Sequence, residues 1–539
     1  MRYLLLLVVV MPKLLLAQGL DKWQQKLDSI ALQDVPPRAP GIATAIVQNG
    51  QLVYEKYAGY ADFMDSSLIN SNTRFNIASN GKQFTALAVL NLVETKQINL
   101  SDDIRKWFPR LYPAIREKIT VQSLLTHTSG IRDCYDLLSL QGYTWWERSL
   151  SNADILALLE QQEELNFTPH STYLYSNSNY ILLALLVEKV SGKSFLDYTN
   201  ALFRKMAMYH TSFEPDYRAI RGPIAKAYFN FDTWTTYDWR WNVVGDGNLF
   251  TTLPDQVQWE KIVQTHRSRQ LNRRIIELSQ LPVAGDSIKL YGYGLEFGRY
   301  KGIDYVFHEG ATGAWKATLI RFPSRRTSLL TFTNTGKSIP AQQTRQMADL
   351  LLGNAAMAEQ PVTRPSTVGA YIGEEDIVGT YLTTTDFAFQ FEVRNQQLFL
   401  KRMGRNDVEL EREAANIFHQ KYDSAFKQAF TRNEQGQLQV TAYYTTHAPY
   451  TLVKTTPLTA PIDAKDYEGV YYNRETNTTL HIRQLEALNY ELVRNNKKST
   501  AILVTSTKML AGAYRLEFLN GELLLSGDRI KRIRYIRQH

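Results

Sequence analysis

Ser79 and Lys82 form the first pattern in the sequence that could do chemistry. They lie three residues apart in a segment, Ala78 to Glu94, whose apolar residues recur at helical spacing. Residues i and i+3 of a helix face the same side, so the amine can lie beside the hydroxyl. A serine hydroxyl needs an adjacent base, and a buried lysine with a lowered pKa can serve. The pair indicates nucleophilic catalysis, with the helix N-terminus stabilising an oxyanion.

The Ser-x-x-Lys spacing alone is weak, because about two such pairs are expected by chance in a chain of this length. Several better-known motifs are absent from the sequence. Ser79 lacks the first glycine of the Gly-x-Ser-x-Gly elbow, and Gly192-Lys193-Ser194 lacks the earlier glycine of a phosphate loop. His308-Glu309 lacks the second histidine of a zinc-protease helix. The nine histidines are scattered, so we expect no metal site and no cofactor.

The elements that must position this pair form two β blocks around a helical stretch. Residues 42–58 read as a hairpin around Asn49-Gly50, a dipeptide that favours the type I′ turn. The strand signal returns at residues 305–308, 315–322 and 328–333. Between the blocks, Ser178 to Val190 reads as a second helix that ends at Gly192. A split sheet with a helical insertion predicts an α/β (α+β) domain beside a helical subdomain, with the site in the cleft between them.

The composition changes after Leu352. Residues 353–372 are predicted to form a linker, and short alternating strands dominate afterwards. A weak repeat is present: Asp376-Ile-Val-Gly-Thr-Tyr381 recurs as Asp466-Tyr-Glu-Gly-Val-Tyr471. We therefore expect a catalytic domain over residues 20–352 and two small antiparallel β modules, barrel-like, over 373–456 and 463–539. One larger β domain is the alternative.

Seven ordered segments carry a resemblance that the isolated pair cannot. The chain resembles the serine β-lactamase and penicillin-binding-protein superfamily, and most closely its class C-like branch with esterases and D-aminopeptidases. The resemblance covers about Pro40 to Leu352. The matching segments are Phe75–Ala86 around the nucleophile, Ile98–Asp103, Ile119–Gly130, Tyr175-Ser-Asn177, Gly245–Thr252, Tyr291–Leu295 and His308-Glu-Gly310. It implies a β-lactamase/transpeptidase-like domain with an antiparallel sheet.

The resemblance also implies roles for individual residues. Ser79 would attack a carbonyl and form an acyl-enzyme, while Lys82 and Tyr175 would share the proton transfers in an order that stays open. Asn177 would bind Lys82 and the amide side of the substrate. The backbone N–H groups of Ser79 and Ala311 would form the oxyanion hole, and His308 and Gly310 belong to the third motif.

His308 departs from classical β-lactamases and penicillin-binding proteins, which carry lysine at this position of the third motif. A histidine is mostly neutral at pH 7, so its attraction for a substrate carboxylate is weaker. Strand alternation should point Glu309 away from the cleft. This favours small esters or D-amino-acid-containing peptides and amides. A β-lactamase or D,D-carboxypeptidase is one alternative, and a non-catalytic binding or sensor protein is another.

Two further residues look catalytic at first sight. His127 lies in a segment that the resemblance treats as structural, so we expect a packing role for it. Asp246 lies between two glycines and is predicted to be a turn residue.

The remaining features bear on location and partners. Residues 1–17 read as a signal peptide, which predicts a secreted or periplasmic protein, and a short N-terminal anchor is the alternative. No later stretch predicts a membrane span. Cys134 stands alone, so no intrachain disulfide is expected.

The net charge of +8 comes from 61 basic and 53 acidic residues, mostly in mixed clusters. No nucleic-acid-binding motif supports a nucleic acid as partner. The basic run from Arg529 to Arg537 alternates like the two faces of a last strand. The expected partner is a small peptide or ester, with cell-wall peptides as one source, and the oligomeric state stays open.

Overall fold

The architecture comes from a computed structural model. It describes residues 22–143, 148–231, 233–268, 270–283, 291–353, 370–383, 388–401, 407–421, 423–443, 449–456, 458, 462–519 and 521–538. The predicted signal peptide, residues 1–17, lies outside the described residues, as does most of the predicted linker.

The predicted catalytic domain, called the catalytic domain below, is built on one six-stranded antiparallel sheet. Its strands lie in the spatial order Glu296–Tyr300, Ile303–Thr312, Trp315–Phe322, Thr327–Thr333, Ile42–Gln48 and Gln51–Ala58. The sheet's first strand in chain order, Ile42–Gln48, thus pairs with its last, Thr327–Thr333, with Ile42 opposite Thr333. The predicted hairpin is confirmed, because Asn49 and Gly50 both have positive φ (52° and 74°), as a type I′ turn requires.

Helices cover both faces of this sheet. Residues 22–32 are helical and pack with the helix Pro340–Leu352 on one face, around Ile46, Phe307 and Met347. The larger helical part covers the other face. Its α-helices are Lys82–Glu94, Val121–Leu125, Cys134–Leu140, Asn152–Leu159, Asn177–Ser191, Phe195–Lys205, Leu253–Thr265 and Arg273–Ser279. Within the described residues, each helix is too short or too polar to cross a bilayer.

Short elements complete this domain. The 3-10 turns are Ala78–Gly81, Ile104–Lys106, Tyr217–Ala219 and Pro323–Arg325. The minor strands pair as Tyr60–Asp62 with Ser67–Leu68, Phe229–Phe231 with Thr233–Thr235, and Leu249–Thr251 between Phe75–Asn76 and Ser212–Phe213. The last of these sheets anchors the chain just before Ser79.

Two closed eight-stranded antiparallel barrels follow the catalytic domain, so the alternative of one larger β domain is wrong. In each barrel every strand pairs with the next, and the last strand pairs with the first. Barrel 1, entered through the short helix Glu374–Ile377, comprises Gly379–Leu382, Ala388–Arg394, Gln397–Lys401, Val408–Ala414, Ile417–Gln420, Asp423–Arg432, Leu438–Tyr443 and Tyr450–Lys454. Barrel 2, entered through the 3-10 turn Ala464–Asp466, comprises Gly469–Asn473, Thr478–Glu486, Asn489–Arg494, Lys497–Thr505, Lys508–Ala511, Tyr514–Leu519, Glu522–Ser526 and Ile533–Gln538.

The weak sequence repeat marks the same tyrosine-to-backbone hydrogen bond at the start of each barrel. The buried Tyr381 hydroxyl donates to the Ile377 carbonyl at 2.9 Å, and Tyr471 donates to the Tyr467 carbonyl at 3.0 Å. The repeated tyrosine therefore ties the entry turn to the first strand in both barrels.

Candidate active site

The predicted nucleophile lies in a tight turn at the start of a buried helix. Ala78–Gly81 form a 3-10 turn that leads directly into the helix Lys82–Glu94. Residues i and i+3 eclipse one another in a 3-10 turn, and Lys82 Nζ lies 3.1 Å from Ser79 Oγ. Ala78 has a φ of +48°, which is strained for a residue with a side chain, and its N–H donates to Asn76 Oδ1 at 2.9 Å. The turn is thereby held in a conformation that presents the hydroxyl.

Lys82 is fully buried, and its amine has three oxygen partners. Besides Ser79 Oγ, Nζ donates to Asn177 Oδ1 at 2.9 Å and to the Asp246 carbonyl. Burial lowers the pKa of Lys82 to about 8, although the nearby carboxylates of Asp246 and Asp133 oppose the shift. The neutral amine is therefore a minority form at pH 7 and becomes the main form above about pH 8.

The geometry of these three contacts decides where the neutral amine points its lone pair. Asn177 Oδ1 and the Asp246 carbonyl can only accept hydrogen bonds, so they take the two N–H groups of a neutral Lys82. The remaining direction faces Ser79 Oγ, which can donate its proton there. Neutral Lys82 is thus oriented as a base toward the serine.

Tyr175 borders the same space. Its ring centroid lies 4.9 Å from Lys82 Nζ, and a hydrogen bond joins its side chain to Ser79. Burial raises the pKa of the Tyr175 phenol well above its usual value, and the hydrogen bond with Ser79 only partly offsets this. The phenol therefore stays protonated at neutral pH, which suits a proton donor better than a base.

Asn177 begins the helix Asn177–Ser191, which ends at Gly192 in the left-handed conformation, as the sequence predicts. Its backbone N–H and its Nδ2 both donate to Asp133 Oδ2, at 2.7 and 2.9 Å. Asp133 also caps the helix Cys134–Leu140 with its other oxygen. This double contact directs Asn177 Oδ1 toward Lys82, because a flipped amide would place its N–H₂ against the amine.

The third motif lies on the strand Ile303–Thr312, next to the nucleophile turn. A side-chain carbon on Gly310 would lie 2.5 Å from the Ile77 carbonyl and 3.0 Å from the Ser79 nitrogen, so only glycine allows this approach. Ala311 follows it and lines the cavity in front of Ser79. Glu309 points outward and pairs with Arg345 at 2.7 Å, as strand alternation predicts.

His308 is buried on the same strand. Its Nδ1 lies 2.8 Å from the Glu309 carbonyl, and its Nε2 lies 3.3 Å from the Tyr291 hydroxyl. A carbonyl can only accept, so Nδ1 carries a proton and Nε2 can accept from the tyrosine. The tyrosine hydroxyl could equally accept from a protonated Nε2, so the contacts allow either charge state, and unlike a lysine the histidine is not a permanent cation.

His127 has contacts of the packing kind that the sequence indicates. Its Nδ1 accepts from the Ser176 N–H at 3.2 Å, and its ring lies 4.3 Å from that of Tyr175. His127 therefore packs against the ring of Tyr175.

Asp246 lies in the bend between Gly245 and Gly247, as the sequence predicts, and it also has contacts that the sequence does not indicate. Its backbone carbonyl holds Lys82, and its Oδ2 accepts from the Tyr135 hydroxyl at 2.6 Å. Burial raises the pKa of the Asp246 carboxyl, while Lys82 acts in the opposite direction. Flanking glycines indicate a turn, and they carry no signal that the turn faces a distant amine.

The sequence also missed two residues near the cleft. Arg529, expected on the last strand, lies in the loop before that strand and lines the cavity. Asp133 carried no motif of its own, and its position between Asn177 and Arg529 appears only in three dimensions.

A cavity of about 470 Å³ opens in front of Ser79. Tyr175, Asn177 and Ala311 lie at its reactive end. Aromatic and apolar side chains of the lining include Tyr135, Leu138, Tyr143, Leu150, Trp239 and Trp241, and the polar ones include Ser139, Asn248, Thr312, Asp246 and Arg529. The site can therefore hold a small substrate with an apolar group beside a serine and a base.

Two curated bacterial proteins are similar in sequence. Protein flp of Staphylococcus aureus (strain MRSA252) is 35% identical over 196 residues, which are 35% of this chain and 38% of that protein. The aligned part thus spans well under half of that relative's length. Penicillin-binding protein 4* of Bacillus subtilis (strain 168) is 25% identical over 389 residues, 67% of this chain and 84% of that protein.

Solved structures share the fold. A penicillin-binding protein homologue from Pyrococcus abyssi superposes with a TM-score of 0.59 at 22% identity, over 80% of this chain and 99% of that chain. A D-stereospecific amidohydrolase from Streptomyces sp. has a TM-score of 0.50 at 21% identity, over 60% and 96%. The hydrolase EstCE1 has a TM-score of 0.52 at 19% identity, over 62% and 100%.

The sequence profile described as Beta-lactamase matches residues 30–354, which include every residue of the site except Arg529. Because this profile covers more than half of the chain, the protein belongs to the Beta-lactamase family of serine hydrolases.

Proposed function

We propose that this protein is a serine hydrolase that forms an acyl-enzyme at Ser79. One observation carries the proposal: Ser79 Oγ lies 3.1 Å from a buried amine whose other two contacts are pure acceptors. A binding protein would gain nothing from an amine held so that its free lone pair faces a serine.

The acylation step follows from this arrangement. Ser79 Oγ attacks the substrate carbonyl while its proton passes to neutral Lys82, and the Oγ–C bond forms as the carbonyl oxygen becomes an oxyanion. The backbone N–H groups of Ser79 and Ala311 are the donors proposed for that oxyanion. Tyr175 gives its proton to the leaving group, whose bond to the carbonyl carbon breaks, and recovers one from Lys82. Water then attacks the ester carbonyl and gives a proton to neutral Lys82. The Oγ–C bond breaks, the acid leaves, and Lys82 returns the proton to Ser79 Oγ.

Each group has a plausible share of the rate. Positioned proton transfer contributes about 10²–10⁴-fold, and one oxyanion donor contributes roughly 10²–10³-fold. Removing Ser79 eliminates the covalent route altogether.

The proposed substrates are small esters and D-amino-acid-containing peptides or amides. His308 stands where classical members carry a lysine, so the third motif offers no permanent cation to a substrate carboxylate, which disfavours a D,D-carboxypeptidase or an efficient β-lactamase. The shared fold of an amidohydrolase and of EstCE1 agrees with this choice, although fold does not decide substrate. The similarity to penicillin-binding protein 4* makes penicillin binding the second candidate.

The test is an acylation assay on the full chain beside Ser79→Ala. The probes are a p-nitrophenyl ester, a D-alanine p-nitroanilide and a fluorescent penicillin. We expect turnover of the ester or the amide that falls at least about 10³-fold in Ser79→Ala. Labelling by penicillin without turnover would support the second candidate, and equal behaviour of both proteins with all three probes would exclude catalysis at Ser79.

The pH dependence identifies the base. Since Lys82 must be neutral to accept a proton and its pKa is about 8, kcat/KM should rise with pH up to about 8 and then level off. A rate that is flat through this range would rule out Lys82 as the base.

We also propose that residues 1–17 direct export to the periplasm or the medium. Cell fractionation with N-terminal sequencing tests this, because retention of the full N-terminus in the cytoplasm would contradict it.

A further inference from the structure

A loop of barrel 2 reaches the proposed active site. Residues 527–532 connect the strands Glu522–Ser526 and Ile533–Gln538. The side chain of Arg529, in the middle of this loop, lines the same cavity as Ser79 and Asn177. A module that follows the catalytic domain in sequence thus supplies a cation to the catalytic cleft.

Backbone hydrogen bonds hold this loop in place. The Arg529 N–H donates to Asp136 Oδ2 at 2.7 Å, and its carbonyl accepts from the Asp133 N–H at 3.3 Å. Asn166 donates from Nδ2 to the same carbonyl at 3.0 Å and accepts from the Lys531 N–H at 2.7 Å. The loop is therefore docked on the catalytic domain through its main chain, which fixes where the Arg529 side chain starts.

The guanidinium lies between two carboxylates. Its Nη1 is 3.3 Å from Asp133 Oδ2, and its Nη2 is 3.4 Å from Asp136 Oδ1. The Asp133 side chain is completely buried, whereas that of Arg529 keeps 27% exposure toward the cleft. Without the arginine, two neighbouring carboxylates would repel each other next to the site.

A continuous series of contacts leads from this arginine to the nucleophile. Asp133 Oδ2, next to Arg529, accepts both N–H groups of Asn177, at 2.7 and 2.9 Å. Asn177 Oδ1 accepts from Lys82 Nζ at 2.9 Å, and this amine lies 3.1 Å from Ser79 Oγ. Each group in the series orients the next, so a displacement of the Asp133 carboxylate would reach Lys82 through one amide.

We propose that Arg529 is a positioning residue: through Asp133 and Asn177 it holds Lys82 against Ser79, so that barrel 2 completes the catalytic site. This inference rests on the function proposed for Ser79. It assigns barrel 2 a part in catalysis.

The charges around Lys82 give the inference a measurable signature. Three charged groups face its amine from three segments: Asp246 before the strand Leu249–Thr251, Asp133 at the cap of the helix Cys134–Leu140, and Arg529 from barrel 2. The neutral side chains of Cys134, Tyr175 and Tyr180 complete the surroundings. The two carboxylates raise the pKa of Lys82 and the guanidinium lowers it. Loss of the Arg529 charge should therefore raise this pKa and move base catalysis to higher pH.

The test compares Arg529→Gln and Arg529→Lys in the full chain with the unchanged protein. Arg534→Gln is the matched control, because Arg534 lies in the same barrel, is half exposed and pairs with Glu522. The probe is a fluorophosphonate, which labels an activated serine without the natural substrate. The labelling rate constant is measured across the pH range, and the final labelled fraction counts the folded sites.

We expect Arg529→Gln to lower the rate constant at neutral pH by about 10- to 100-fold and to shift its rise to higher pH. In Arg529→Lys the labelling rate should rise at the same pH, because the charge is retained. The reaction should still be slower, because an ammonium lacks the planar guanidinium that contacts both carboxylates. Arg534→Gln should match the unchanged protein.

Four outcomes would overturn the inference. If the labelling rate constant and its pH profile are unchanged in Arg529→Gln, Arg529 has no positioning role, although the proposed function of Ser79 still stands. A slower rate with an unshifted pH profile would also overturn the role, because it indicates only a structural effect. If Arg529→Gln does not fold, Arg529→Lys decides, and a labelling rate constant equal to that of the unchanged protein at every pH would overturn the role. If the unchanged protein is labelled no faster than Ser79→Ala, the proposed function itself fails and this role fails with it.

Discussion

Barrels 1 and 2 have the same strand count and pairing order, yet they relate differently to the catalytic domain. The buried side chains of barrel 2, among them Leu516 and Tyr535, belong to one hydrophobic cluster with the catalytic core. Those of barrel 1, among them Leu400 and Phe430, form a cluster of their own. Burial of shared apolar surface couples two modules energetically, so barrel 2 should unfold together with the catalytic domain.

Polar contacts follow the same division. Barrel 2 docks through Glu475, whose carboxylate pairs with the fully buried Arg132 at 2.5 Å, and whose carbonyl accepts from Gln162 at 3.0 Å. In barrel 1, pairs such as Lys427–Glu413 are internal and exposed. A repeated fold therefore does not imply a repeated role, because the surface that a module buries decides which other parts of the protein it can influence.

The largest expected effect comes from the buried pair at the barrel 2 interface. Glu475→Gln removes the nearest carboxylate from the buried Arg132 guanidinium and leaves it with Glu164 at 3.7 Å, so it should cost up to roughly 3–5 kcal/mol of unfolding free energy. Urea unfolding followed by tryptophan fluorescence measures it, because all nine tryptophans lie before residue 316. The matched change in barrel 1, Glu413→Gln, removes an exposed pair and should cost about 1 kcal/mol or less. Equal costs would contradict the division between the barrels.

Core truncations in the two barrels test the coupling directly. Leu516→Ala and Leu400→Ala each remove a completely buried side chain and should cost about 2–5 kcal/mol. Leu516→Ala should shift the transition seen by tryptophan fluorescence, whereas Leu400→Ala should shift only an earlier transition in far-UV circular dichroism. If Leu400→Ala moves the tryptophan signal as well, barrel 1 is not an independent unit.

The smallest effects concern the first strand of each barrel, where the repeated segment carries a glycine two residues before the buried tyrosine. Gly379 and Gly469 have φ values of 135° and 145°, and a side-chain carbon would approach Lys454 or Arg537 to 2.9 Å. Gly379→Ala and Gly469→Ala should each cost about 1–3 kcal/mol, because alanine strains this backbone. Thermal unfolding measures both. Similar costs in separate unfolding transitions would confirm that the repeated segment stabilises both barrels in the same way. A negligible cost in either barrel would contradict this.

Much of the site was predictable from local patterns. The hairpin at Asn49-Gly50, the nucleophile helix and the helix ending at Gly192 follow from turn preference and apolar spacing, which act over a few residues. The Ser79–Lys82 pair follows for the same reason, since three residues in one turn decide it. The repeat at Tyr381 and Tyr471 likewise predicted two similar modules.

The contacts of Asp246 and the position of Arg529 were not predictable, for the opposite reason. Flanking glycines describe the turn at Asp246 and say nothing of the amine that its carbonyl meets. Alternation assigned Arg529 to a strand, although it precedes the strand and contacts Asp136, 393 residues earlier in the chain. Contacts at such separation depend on how whole modules dock, and no short window of sequence contains that information.

The reactive pair follows from local sequence, because the hydroxyl and the amine share one turn of backbone whose geometry is local. The orientation of that amine, and the module that supports it, follow from contacts between distant segments. Orientation depends on Asn177, Asp133 and a loop of barrel 2, which come together when apolar surfaces far apart in the chain are buried against each other.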